Sequence, residues 1–244
     1  MKLAIFGGTG YVGQALVRMA LDQGFELRLL VRDPSKFNAH GPGVEVLTGD
    51  ALDIAAVKKT VVGCAAVLST LGGYHGTPSL DDGTANILAA MRALSVHRLV
   101  VVQGFHLWFP GDPNNLGKHI VSAFLHLRSP SLVRRSRALA VMLQRTHDID
   151  WTLIRIPPVV DGGPTQAART GSLRLGPSSS VTRGDVVALV LRAIEDRSLV
   201  HASPMVSSAP RRSASNRLAG RSSSGSSSHA AISTNRSPKD PAAA

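Results

Sequence analysis

Apolar residues along this chain follow two rhythms in turn. Short continuous runs such as Leu3 to Phe6, Glu26 to Val31 (ELRLLV), Val44 to Leu47, Cys64 to Leu71 (CAAVLSTL) and His97 to Val102 (HRLVVV) read as strands, the longest of them buried on both faces. Between them apolar positions return every three or four residues: Val12, Ala15, Leu16, Met19 and Ala20; then Ile54, Val57 and Val61 behind a capping Asp53; then Ala85, Ile87, Leu88, Ala90, Met91 and Leu94 within Asp81 to Val96. Strands thus alternate with helices at short intervals. That order predicts an α/β fold with a doubly wound parallel sheet and right-handed crossovers, a Rossmann-type architecture.

The later part of the chain is less regular. Gln103 to Pro130 carries aromatics, prolines, Gly111, Gly117, Asn114 and Asn115, with one apolar patch at Ile120 to Leu127, and reads as an irregular substrate-binding loop region. Leu132 to Arg145 predicts a helix rich in arginine, Asp150 to Ile156 a sixth strand, and Thr182 to Asp185 a variant capping box before Val186 to Glu195. From Ser207 to Ser228 ten of 22 residues are serine with arginines scattered among them, so the segment buries too little apolar surface to fold. The expected division is one domain over 1–206 and a disordered tail over 207–244.

Composition supports this division. The 43% hydrophobic content suffices for a sizeable core. The net charge of +11 suggests nucleic acid, but from Ser203 onward six cations stand against one anion, so nearly half the excess belongs to the tail. With aromatics at only 4% and no recognition motif, nucleic-acid binding is expected only weakly, through that tail. The N-terminal apolar run is too short for a signal peptide and no run approaches membrane-spanning length, so a soluble cytoplasmic protein with no membrane role is expected. The single Cys64 excludes an internal disulfide, offers no zinc ligand set, and reads as a small core residue in a strand; no metal site is expected.

Candidate chemistry begins at the first strand-to-helix turn. Gly7 suits a sharp turn off the strand, Gly10 lets a pyrophosphate approach the backbone, and Gly13 lets the helix pack close to the strand. The amides at the helix start would hold phosphates. Arg32 follows the second strand, 19 residues after Gly13, where an arginine accommodates a 2′-phosphate and a carboxylate would bind a ribose hydroxyl. NADP is therefore favoured over NAD, with adjacent Asp33 the residue that speaks for NAD. Gly72 and Gly73 close the fourth strand where a Rossmann crevice admits the nicotinamide side.

The segments GGTGYVG, VRDPSK, TGDALD, DIDWTLIRIPP and VTRGDVVALVL give the chain, from about Met1 to Ser207, a further identity. It resembles the atypical short-chain dehydrogenase/reductases, and within them the NAD(P)H-binding, NmrA-like group that includes flavin reductase/biliverdin-IXβ reductase. The resemblance implies that Gly7, Thr9, Gly10, Tyr11, Val12 and Gly13 wrap the pyrophosphate and Arg32 meets the 2′-phosphate. It also implies that Asp50 and Ala51 lie beside adenine and Leu71 and Gly72 beside the inner ribose. Gln103 and Gly104 stand where flavin-reductase-like members carry a serine near the nicotinamide.

The Tyr-x-x-x-Lys pair of typical short-chain dehydrogenases is absent: Tyr11 is followed four residues on by Ala15, and Tyr74 by Pro78. Alcohol or ketone chemistry by that pair is thus not expected. A flavin, quinone or tetrapyrrole takes hydride into a conjugated system and asks less of a protein acid. His106, then Tyr74, are the side chains proposed as an acid. The leading expectation is an NADPH-dependent reductase of a conjugated small molecule. The alternative is a non-catalytic NAD(P) sensor of NmrA-like type that signals occupancy to a protein partner.

Overall fold

The computed structural model describes residues 1–37, 42–72, 80–165 and 167–208. Met1–Ala209 forms one compact unit. Its sheet is built from β1 (Lys2–Phe6), β2 (Glu26–Val31), β3 (Val44–Thr48), β4 (Ala66–Ser69), β5 (Arg98–Gly104), β6 (Asp150–Ile156), β8 (Arg169–Gly171) and β10 (Met205–Ser207). The order is β3-β2-β1-β4-β5-β6-β10-β8, and β7 (Val159–Val160) pairs separately with β9 (Val181–Thr182). Every neighbouring pair in the large sheet is parallel except β10 with β8, which is antiparallel. The sheet is therefore the expected doubly wound one, with an antiparallel strand added at one edge.

The period of two along each strand sends alternate side chains to two cores. Ala4, Phe6, Val67, Leu99, Val101 and Leu153 pack under α2 (Ile54–Val61), α3 (Asp82–Ala93) and α5 (Pro130–Gln144). Leu3, Ile5, Leu68, Val100, Val102 and Ile154 pack under α1 (Tyr11–Asp22) and α6 (Arg183–Glu195). Arg98, although in a central strand, is satisfied: its guanidinium donates to the Ala193 carbonyl at 3.0 Å and Thr152 Oγ1 at 2.7 Å. The first of these places a cation at the carboxyl end of α6, where the helix dipole favours it.

Several expectations need correction. The apolar patch Ile120 to Leu127 is not part of an irregular loop but lies in a helix, α4 (Leu116–Arg128), whose first turn is capped by Asn115 Oδ1 accepting from the Gly117 amide at 3.0 Å. Cys64 is buried but precedes β4, and its Sγ meets the Thr60 carbonyl at 3.4 Å. Ser207 is the last residue of β10 and its Oγ donates to the Ser180 carbonyl at 3.1 Å, so the folded unit extends past the expected boundary at 206. The capping box forms by half. Thr182 Oγ1 accepts from the Asp185 amide at 3.1 Å, but the Thr182 amide donates to Ser208 Oγ at 2.9 Å. Asp185 instead accepts from the Thr165 amide and hydroxyl, at 2.6 and 2.9 Å, tying the loop before β8 to the start of α6.

Candidate cofactor cleft

β1 and β4 lie side by side while their connections run to opposite sides of the sheet, which makes the gap beyond their carboxyl ends the topological switch point. The glycine turn fills that position. Gly7 has φ +82°, and a Cβ there would stand 2.8 Å from the Thr70 backbone, so the residue after β1 must be glycine on both counts. Thr70 Oγ1 donates to the Gly7 carbonyl at 3.0 Å, fixing the turn to the end of β4. The Gly10 amide closes it on the same carbonyl at 3.0 Å. A Cβ at Gly13 would fall 2.0 Å from the Gly7 oxygen, which is the close helix-to-turn approach that the spacing requires.

The start of α1 is left open for an anion. Its N-cap is Gly10, no side chain caps it, and its first turn holds no acid. A dinucleotide pyrophosphate fits this cradle by chemistry, since the helix start offers uncapped amides and no opposing acid, and the three glycines let the turn close tightly against β4 and α1. Tyr11, at the mouth, is half-exposed, with the Arg183 guanidinium 4.4 Å from its ring centre and Arg183 paired to Asp161. Desolvation and a hydrogen bond to Asp161 push the Tyr11 phenol above its usual range.

The other sequence-derived residues fall along the same edge. Arg32 is exposed immediately after β2. Neighbouring Asp33 caps a short 3-10 turn at Pro34–Lys36, its Oδ1 accepting from the Ser35 amide at 3.1 Å and hydroxyl at 2.6 Å. The carboxylate that spoke for NAD thus has a local structural task. Asp50 follows β3 and accepts from the Leu52 amide at 3.0 Å, and the Ala51 carbonyl accepts from Asn86 Nδ2 at 2.9 Å. At the end of β5, Gln103 is buried, donates from Nε2 to the Leu71 carbonyl at 3.2 Å, and lies beside Gly72. Leu71, Gly72 and Gln103 are thereby brought together. Gly73 and Tyr74 lie outside the described residues.

His106 differs most from its expected setting. It is no open loop acid: 5% exposed, its Nε2 has no hydrogen-bond partner, and it lines a cavity of about 90 Å³ with Trp108, Ser122, Arg137 and Gln144. Burial first, then the nearby Lys118 and His126 charges, pull its pKa down to about 4. Its ring packs so closely that a Cβ on Gly104 would meet Nδ1 at 2.6 Å.

A buried charge cluster lies next to it. Arg155 of β6 holds Asp112 through two nitrogens, one at 2.7 Å, and donates to the Leu107 carbonyl at 2.9 Å. Lys118 Nζ reaches the same carboxylate at 2.7 Å and lies 4.1 Å from the centre of the Trp108 ring. Burial alone would raise Asp112, yet hydrogen bonds from Arg155, Lys118 and the Phe109 amide bring it down to about 2. Together these bonds pin the loop following β5 onto β6. The sequence reading missed this cluster, although an arginine inside the apolar run DWTLIRI was its signal.

Residues 7–197 match the family described as NAD(P)H-binding, over most of the chain's length. This chain is a member of the NAD(P)H-binding family. A curated relative, the 3β-hydroxysteroid dehydrogenase/Δ5→4-isomerase of Mycobacterium tuberculosis, is 35% identical over 113 residues, 41% of this chain and 30% of that one. The chain therefore matches less than a third of that relative. Among solved structures, a wide-type short-chain dehydrogenase/reductase of Veillonella parvula in complex with NADP superposes with a TM-score of 0.70 at 17% identity, covering 86% of this chain and 95% of that one. The anaerobillin reductase ChuY of Escherichia coli O157:H7 gives 0.67 at 19%, covering 84% and 96%. These two likenesses establish the Rossmann-like fold for the NAD(P)H-binding chain.

Proposed function

We propose that this NAD(P)H-binding protein is an NADPH-dependent reductase of a flat conjugated acceptor such as a flavin, quinone or extended tetrapyrrole. The observation that carries the reading is the pairing of an uncapped glycine cradle at the switch point with an exposed Arg32 whose neighbour Asp33 serves as a cap. In this reading Gly7, Thr9, Gly10, Tyr11, Val12 and Gly13 hold the pyrophosphate. Arg32 takes the 2′-phosphate, and Asp50, Ala51, Leu71, Gly72 and Gln103 line the way to the nicotinamide. NADPH supplies the hydride. The chain's own contribution is orientation: Gln103, anchored on Leu71, fixes the floor beside the acceptor, and the pinned loop after β5 forms its wall.

Held near 4, His106 is neutral at physiological pH, so in this reading its enclosed Nε2 orients at most a water behind the acceptor and does not protonate. The proton comes from solvent. A conjugated acceptor fits because its charge is delocalised before protonation. The naming of ChuY as an anaerobillin reductase is consistent with this class.

The test is NADPH oxidation followed by absorbance with FMN and a quinone panel, beside calorimetric titration of NADPH and NADH. Acceptor-dependent oxidation is the expected result. Arg32→Ala should weaken NADPH by about tenfold or more and leave NADH unchanged, since a charge-assisted phosphate contact is worth about 1.5–3 kcal/mol. Equal losses for both nucleotides would overturn the 2′-phosphate assignment. NADPH binding without turnover on any acceptor would transfer the protein to the dinucleotide-sensor reading.

A further inference from the structure

Helix α4 turns an apolar ridge away from the protein. Leu116, Ile120, Phe124 and Leu127 recur at helical spacing and are 75%, 53%, 60% and 83% exposed, while the opposite side, with Lys118, Val121, Ser122 and Leu125, faces inward. His119 and His126 flank the ridge on one side and Arg128 on the other, all exposed. The adjoining helix adds exposed Arg134 and Arg137, and Arg145 just past its end, around a depression of about 890 Å³ floored by Val133 and Val141. From Leu116 to Arg145 there is no Asp or Glu. At the amino end of the ridge the half-exposed Trp108 ring lies 4.8 Å from that of His119.

We propose that this α4–α5 face docks on an anionic lipid bilayer, the ridge entering the acyl boundary and the arginines meeting lipid phosphates. At about 1.5 Å per residue a 13-residue helix is some 20 Å long, too short to cross and suited to lie in the interface plane. Charge complementarity selects the occupant. A second copy docked by two-fold symmetry would set the same cations against each other with no acid on either helix to pair them. A bilayer supplies the negative charge and, unlike a folded partner, needs no shape complement to four isolated side chains. Trp108 is the residue type that favours such an interface. The inference goes beyond the reductase reading and does not depend on it. It also revises the expectation, drawn from the lack of a spanning run, that membranes have no role; no helix among the described residues is long and apolar enough to cross one.

The experiment is co-sedimentation of the full chain with vesicles of phosphatidylcholine alone and with about 30 mol% phosphatidylglycerol. Binding is expected only to the anionic vesicles, declining by about 0.5 M NaCl as screening shortens the field. The double variant Phe124→Ser/Leu127→Ser, exposed at both sites, should keep its melting temperature and bind at least about tenfold more weakly. Arg134→Gln/Arg137→Gln should also weaken binding. Unchanged binding by both variants would assign it to the basic tail and overturn the proposal. So would no binding to any vesicle, which would return the ridge to a protein partner, or a concentration-dependent dimer dissolved by the Ser variants.

Discussion

Burial of His106 makes a quantitative prediction about acid stability. Its pKa falls from the ordinary 6.5 to about 4 in the folded chain. Between those values the unfolded chain binds the extra proton, so stability rises with pH there. His106 contributes no penalty above about pH 6.5, and its cost grows as pH falls toward 4. From about pH 7 to about pH 5 the linkage amounts to about 2 kcal/mol, or a drop in melting temperature of about 4–8 °C for a domain of this size. Asp112, at about 2, and Asp148, at about 2, titrate below this window and do not confound it. The assay is urea unfolding of wild type and His106→Phe across that range, the adjacent cavity of about 90 Å³ giving the larger ring room. The variant should lose about 2 kcal/mol less than wild type between the two pH values. Parallel pH dependences would refute the claim that His106 is held neutral by its surroundings.

Two further substitutions test the architecture around the cleft. Gly13→Ala places a Cβ 2.0 Å from the Gly7 oxygen, so NADPH affinity should fall by more than about tenfold and stability by about 2 kcal/mol or more, read by calorimetry and denaturant unfolding. Retention of both would show that helix and turn can separate without consequence. Arg155→Met leaves the Leu107 carbonyl and much of Asp112 unpaired in the interior and should cost about 3–5 kcal/mol, whereas joint replacement of Arg155, Asp112 and Lys118 by Met, Leu and Met should recover most of it. A near-neutral single variant would mean that the loop after β5 is held by something else.

The fold was legible because its signals are local. Runs of Leu, Val and Ile in strand length, spaced by helical periods, dictate alternating elements before any long-range contact is known, and the two cores follow from side-chain alternation as in Leu3/Ile5 against Ala4/Phe6. The short strands β7, β8 and β9 were not legible. Two or three residues carry no period, and those strands exist only because β10 offers β8 a partner and β7 and β9 pair with each other. The irregular reading of Ile120 to Leu127 failed for a related reason, since flanking Pro, Gly and Asn masked a helix that Asn115 in fact begins.

For the cleft, the sequence by itself determined the alternation of strands and helices and where the glycines sit, because backbone demands at Gly7 and Gly13 are met by one residue type. It also placed Arg32 and Gln103 at strand ends, which in a parallel sheet all lie on one edge. Only the tertiary structure decided which charges are committed and which are open. His106 was enclosed and neutralised, and Asp112, Lys118 and Arg155 were drawn into one buried cluster from three separate segments. The same holds for α4. Periodicity shows that a helix has an apolar side, but whether neighbours cover that side depends on packing from elsewhere in the chain, and here it leaves Leu116, Ile120, Phe124 and Leu127 facing outward.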